Sequence, residues 1–191
     1  MKHSEQEERE PEIVLRAFEK RDIMPLHRWM NDEEALVMIG RVPRSLEEVE
    51  KLVEKQRCMG DLLLAIENSE HQLLGWVFLT KIEHEHGRAE IGILLAPESR
   101  GQGIGEIAMN LMLGIAFNQL RLHRVYLTTR SINQRGIALY QKIGFSIEGR
   151  LREHAFVRGK HSDTMFMGII VHEWREKVAH TLQQNGSFLS V

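Results

Sequence analysis

A chain of 191 residues, 42% of them apolar, is long enough for one domain with a substantial core and contains no polar mid-chain tract that would divide it in two. Twenty-five Lys plus Arg stand against 27 Asp plus Glu, a net charge of -2, so no excess of positive charge exists to release counterions from nucleic acid, and no such partner is expected. The one cysteine, Cys58, cannot form an internal disulfide, MKHSEQEEREPE at the start lacks the apolar core of a secretory signal, and apolar runs such as LLLAI at 62–66 are strand-sized; a cytoplasmic protein with no membrane partner is expected.

The acidic residues 1–11 and the polar 184–191 are expected to be flexible ends around a single domain over 12–183. Ile13-Val14-Leu15 reads as a strand, and Ile23, Leu26, Trp29 and Met30 then recur at helical spacing. Ser45-Leu46-Glu47-Glu48 has the form of a capping box, and Leu46, Val49, Leu52, Val53 and Gln56 carry a second helix up to Gly60. Over 62–95, short apolar runs broken by ENSEHQ and HEHG predict three strands joined by hairpins. Ile104, Ile107, Leu111 and Ile115 mark one helical face, followed by a strand over 124–128. Asn133 caps a further helix through Ile143, Gly144 stops it, and strand-like runs at 145–157 and 164–171 flank a turn, RGKHSD. Residues 172–183 form the last helix of this mixed α/β pattern.

SRGQGIGE at 99–106 sets Gly101, Gly103 and Gly105 at every second position before an apolar helix. Glycine permits positive φ and lets a ligand approach the backbone, and free N–H groups at a helix start sit at the positive end of its dipole, a setting suited to phosphate. Two phosphate-loop patterns fail on the letters. A Walker loop needs Gly-Lys-Ser/Thr, which is absent, and a dinucleotide fingerprint begun at Gly101 needs glycine where Glu106 stands. The loop is therefore a phosphate cradle of another kind or an ordinary strand-to-helix turn.

Arg100-x-x-Gly103-x-Gly105, with EIGILLAP at 90–97 before it, resembles the R/Q-x-x-G-x-G/A loop of the GNAT superfamily of acyl-CoA N-acetyltransferases. The likeness continues through LHRV at 122–125, NQRGIALYQKIGF at 133–145 and EGRLRE at 148–153, and covers roughly residues 12–171. It is similar to the RimJ/RimL branch, which includes polyamine acetyltransferases. The resemblance implies one GNAT-fold α/β domain, a strongly twisted mixed sheet of about seven strands flanked by helices. It implies direct attack of a primary amine on acetyl-CoA without a metal, and it leaves a homodimer open. By the same resemblance Arg100, Gly101, Gly103, Ile104, Gly105 and Glu106 surround the pyrophosphate of coenzyme A. The backbone of Ile93, Leu94 and Leu95 holds the pantetheine arm, with the Leu95 N–H on the thioester carbonyl, and Asn133 and Gly136 lie on the cofactor face.

Acetyl transfer to an amine needs a donor clamp, an uncharged amine, stabilisation of negative charge on the carbonyl oxygen and a proton for the departing thiolate. Asn133 and Tyr140 are seven residues apart and share one helix face, with Gly136 between them permitting close contact. The resemblance puts Tyr140 at the thioester sulfur, where its hydroxyl protonates the thiolate; by spacing alone it is a core tyrosine. Strand alternation sets Glu90, Gly92 and Leu94 on one face and Ile91, Ile93 and Leu95 on the other. Glu90 then takes the ammonium proton through water, holds the cation by charge, or is a surface ion pair.

Trp29 and Met38 fall where the family builds its acceptor pocket, and Glu153 is assigned with them to the substrate. The acceptor is a protein N-terminus or small amine, or else a polyamine. Polyamine enzymes usually carry a Glu-Glu pair after the first helix, where this chain has MIGRVP at 38–43; Glu33, Glu34 and Glu153 are the acids that could replace it. A catalytically silent acyl-CoA-binding module is the alternative of another class. His84 and His86 share a strand face with no third ligand at a zinc spacing, and Cys58 has no His partner at a catalytic spacing.

Overall fold

The computed structural model describes residues 11–39 and 42–185. Of the flexible ends expected at 1–11 and 184–191, residues 1–10 and 186–191 lie outside the described residues, while 184 and 185 continue the last helix. The elements run β1 (Ile13–Ala17), α1 (Ile23–Met30), α2 (Glu33–Ile39), α3 (Leu46–Cys58), β2 (Leu62–Asn68), β3 (Leu73–Glu83), β4 (Arg88–Leu95), α4 (Ile104–Gly114), β5 (Arg124–Arg130), α5 (Gln134–Ile143), β6 (Ser146–Val157), β7 (Lys160–Ile170) and α6 (Val171–Asn185). Seven strands form one mixed sheet, as the family resemblance implies, in the order β1-β2-β3-β4-β5-β7-β6. Every neighbouring pair is antiparallel except β4 and β5.

Side-chain alternation loads both faces of the sheet. Val77, Leu79, Ile91, Val125 and Ile169 join Met109, Met112 and Leu113 of α4 and Trp174 of α6 in one buried cluster. Ala65 and Trp76 join Leu26 and Met30 of α1 and Val49 and Val53 of α3 in the other. Gly92 has to be small on that second face, because a Cβ there would stand 2.2 Å from the Phe78 ring.

Local signals held where the chemistry was local. The Ser45 hydroxyl accepts the Glu48 N–H at 3.2 Å while the Glu48 carboxylate accepts the Ser45 N–H at 2.7 Å. Asn133 caps α5 by accepting the Gly136 N–H at 3.0 Å, and Gly144 ends it at φ 120°. Two elements differ from the prediction. α2 has only seven residues, too few for a helical period to show, and it starts where Asp32 accepts the Ala35 N–H at 3.2 Å. The turn expected over RGKHSD shrinks to Arg158-Gly159, both at positive φ (47° and 77°), so Lys160 to Asp163 belong to β7; a two-residue turn with two left-handed positions matches the twist of the flanking strands.

Candidate active site

β4 and β5 pair only through Arg88–Arg124, Ala89–Val125 and Glu90–Tyr126. Beyond that point each strand keeps its other neighbour: β4 stays on β3 up to Leu95–Gly75, and β5 stays on β7 up to Arg130–Thr164. The sheet therefore opens into a V between Ile91–Leu95 and Leu127–Arg130. The Ala96 N–H donates to the Leu74 carbonyl at 2.8 Å, on the β3 side. By alternation the N–H and C=O groups of Ile93 and Leu95 turn into the V, as the pantetheine assignment requires, while those of Leu94 turn toward β3.

At the open end of the V the chain enters α4. Gly101 and Gly103 have φ of 79° and 78°, and a Cβ on either would meet nothing within 4 Å, so the backbone faces free space. The first bond of the helix runs from the Glu106 N–H to the Gly103 carbonyl at 3.0 Å, which leaves the amides of 101–105 without a partner among the described residues, at the positive end of the dipole. This cradle fits a pyrophosphate. Ile104 is buried in the core and contributes only backbone. Gly105 is buried where a Cβ would lie 3.2 Å from Leu139 and 3.5 Å from Leu95, so it sets the approach of α4 to α5 and β4. Glu106, an unsuitable neighbour for phosphate, is drawn to Lys142 on α5 at 2.5 Å.

Two of the residues expected at the cofactor also make contacts within the chain. The Arg100 guanidinium is committed to Asp32 (3.0 Å), Glu34 (2.8 Å) and the Leu95 carbonyl (3.3 Å), so it ties β4 to the start of α2 instead of facing the cradle as a free cation. The close approach at Gly136 is made by Asn133: a Cβ there would fall 2.3 Å from the Asn133 amide nitrogen, which also donates to the Thr129 hydroxyl at 3.0 Å. Asn133 is thus first a helix cap.

Tyr140, on α5, packs against the α4 side of the core and meets Phe145 edge-on at 6.1 Å between ring centroids. Burial raises its pKa to about 12. Its hydroxyl makes no hydrogen bond to any described residue and remains a protonated, uncommitted donor. Glu90 lies on the opposite face, at the vertex of the V, beside Tyr126. It is ion-paired to Lys81 on β3 at 2.6 Å and accepts a long bond from the Thr128 hydroxyl at 3.4 Å. The V therefore has a phenol on its α4–α5 side and a carboxylate on its α1–α3 side.

A cavity of about 380 Å³ on the second side is lined by Asp32, Glu33, Glu34, Val37, Met38 and Arg158. Of the three residues assigned to the substrate, Met38 lines this cavity and Trp29 and Glu153 do not. Trp29 is on the buried face of α1 with Leu26 and Met30. Glu153 sits exposed in an irregular part of β6 at φ 52°, its N–H donated to Asp163 at 2.7 Å. Arg158, which no motif or spacing singles out, reaches over from the hairpin tip to Glu33 at 2.6 Å. Among the described residues no group of three His, Cys, Asp or Glu side chains is placed to hold a metal ion, and no helix is long and apolar enough to cross a membrane.

The family model of the acetyltransferase (GNAT) domain matches residues 12–146. The chain belongs to the GNAT family. It is an N-acetyltransferase, with acetyl-CoA as co-substrate and an amine as acceptor. Spermidine N(1)-acetyltransferase of Vibrio cholerae serotype O1 is 31% identical over 161 residues, 83% of this chain and 93% of that protein. The putative ribosomal N-acetyltransferase YdaF of Bacillus subtilis is 32% identical over 102 residues, 53% of this chain and 56% of that protein. The crystal structure of the Vibrio cholerae spermidine N-acetyltransferase in complex with CoA and spermine matches with a TM-score of 0.81 at 30% identity, over 86% of this chain and 98% of that one. Both branches suggested by the letters thus occur among the relatives of this acetyltransferase.

Proposed function

We propose that this acetyltransferase acts on primary amines with a single charged group near the reacting nitrogen, a peptide α-amine or a small monoamine. The observation that supports this reading is that each acid on the acceptor side is already ion-paired within the chain. Asp32 and Glu34 hold Arg100, Glu33 holds Arg158 and Glu90 holds Lys81, four carboxylates against three cations. A polycation entering there would have to displace the chain's own guanidinium and ammonium groups before gaining ion pairs of its own.

Bound acetyl-CoA supplies an acyl carbon activated as a thioester and a thiolate as leaving group. The amides of residues 101–105 hold its pyrophosphate, and the Ile93 and Leu95 backbone aligns its arm along the open edge of β4. The Leu95 N–H donates to the carbonyl oxygen as negative charge develops there. Glu90 receives the proton lost by the ammonium, through water, and the attacking nitrogen then forms its bond to the acyl carbon as the carbon–sulfur bond breaks. The Tyr140 hydroxyl gives its proton to the sulfur and takes back the second proton of the acylated nitrogen, through water, so that a neutral amide and a thiol leave. Domain limits of 12–183 and a cytoplasmic setting, in which the exposed Cys58 thiol stays reduced, accord with this reading.

A spermidine acceptor is the second reading, favoured by the Vibrio cholerae relative. Steady-state thiol release with a peptide α-amine, a monoamine and spermidine separates the two: the first two are expected to give kcat/KM about tenfold above spermidine, since each unmet charged hydrogen bond costs roughly 1.5–3 kcal/mol. A clearly higher value for spermidine would replace the monoamine reading with the polyamine one.

A homodimer is assigned to the outer edge of β6, the last strand of the sheet, which carries exposed Ile147 and Leu151. Sedimentation at micromolar concentration is expected to show a dimer that Leu151→Lys splits; a wild-type monomer would remove the assignment.

A further inference from the structure

Lys81 sits where β3 breaks register with β4, between Thr80 and Glu83, and its backbone is left-handed at φ 51°. Residues with a Cβ seldom adopt that conformation, and bulges and backbone strain concentrate where a side chain has to be aimed. Asp61, at the foot of β2, holds the distortion by accepting the Lys81 N–H at 3.1 Å. The effect is to bring the Lys81 ammonium to 2.6 Å from the Glu90 carboxylate. Lys81 is 64% exposed and Glu90 20%, so the cation reaches in from solvent to a group recessed at the vertex of the V.

The other groups around Glu90 leave this place to Lys81. Tyr126 lies beside it on β5 and Thr128 above, both uncharged; Arg88 on its own strand is turned to Glu83, and Arg124 to Glu148. Glu90, through its hydrogen bond and then its charge, raises the Lys81 pKa above the ordinary lysine value, so the ammonium stays charged through neutral pH.

We propose that Lys81 is a specificity-determining residue: its ammonium fills the cation place at Glu90 and denies that carboxylate to a second charged nitrogen of the acceptor. The inference rests on the assignment of the Glu90 face to the acceptor. An incoming monoamine presents its nitrogen to the thioester and needs only a proton path to Glu90, which the ion pair leaves open through water. A polyamine brings a further ammonium that meets Lys81 as a like charge unless the lysine swings out, and swinging out breaks the pair. Lys81 thus selects by charge without touching the reacting atoms.

Lys81→Met keeps the length of the stem and removes the cation; Lys81→Arg keeps the cation. In calorimetry with CoA present, Lys81→Met is expected to bind spermidine about tenfold more tightly than wild type, and in thiol release to raise the spermidine-to-monoamine ratio of kcat/KM by a similar factor. The acetyl-CoA KM of both variants should stay at the wild-type value, which also certifies the fold. Lys81→Arg should give the wild-type ratio and affinity. An unchanged spermidine affinity in Lys81→Met, or the same gain in Lys81→Arg, would overturn the proposal. If no amine releases thiol with any of the three proteins, the acceptor reading falls, while the calorimetric comparison still decides the role of Lys81.

Discussion

Tyr140→Phe is expected to lower kcat about 10²-fold or more while the acetyl-CoA KM stays close to wild type, the size of a general-acid contribution made only in the transition state. The substitution removes one oxygen and keeps the ring, so its packing against Phe145 and the α4 side of the core survives. The pH profile adds an independent reading. Burial puts the Tyr140 pKa at about 12 against 10.0 for a solvated phenol, so the hydroxyl stays protonated through neutral pH and loses its proton only as pH rises toward 12. The wild-type kcat should therefore show no descending limb from Tyr140 near pH 10. An equal kcat for wild type and Tyr140→Phe at every pH would make the residue a packing element and leave water as the proton donor to the thiolate.

The second large effect is expected at the start of α4, where Gly103→Val should weaken acetyl-CoA binding by about 10²-fold. A clash is not the cause, since a Cβ at Gly103 would meet nothing within 4 Å. The backbone is: at φ 78° a β-branched residue is a genuine outlier, and the chain escapes by rotating the loop. Rotation turns the amides of residues 101–105 away from a common centre. Losing two hydrogen bonds to a charged group, each worth roughly 1.5 kcal/mol, amounts to about 10² in affinity. Gly103→Ala carries the same strain without the β-branch and should show a smaller loss of the same sign. Calorimetry giving wild-type affinity for Gly103→Val would take the loop out of the cofactor site.

The amino-acid sequence by itself determined the features that rest on nearest neighbours. The Ser45–Glu48 capping box, the Asn133 cap, the Gly144 stop and the glycines before α4 each solve a backbone hydrogen-bond or φ problem within a few residues, so their letters can be read without knowing what lies across the sheet. The face on which Glu90 sits was legible for the same reason, because alternation along a strand is local. Only the tertiary structure decided which groups those residues meet. Arg100 meets Asp32 across 68 positions and Arg158 meets Glu33 across 125, pairings no spacing rule reaches. They engage in ion pairs a guanidinium expected at the phosphate and bring an unforeseen cation to the cavity beside α2. Lys81 reads as one more surface lysine until the break in β3 and the Asp61 carboxylate aim it at Glu90. The V itself exists because β4 and β5 keep their outer partners and lose each other after three pairs. That is a balance among four strands, set by packing on both faces of the sheet and carried by no single stretch of sequence.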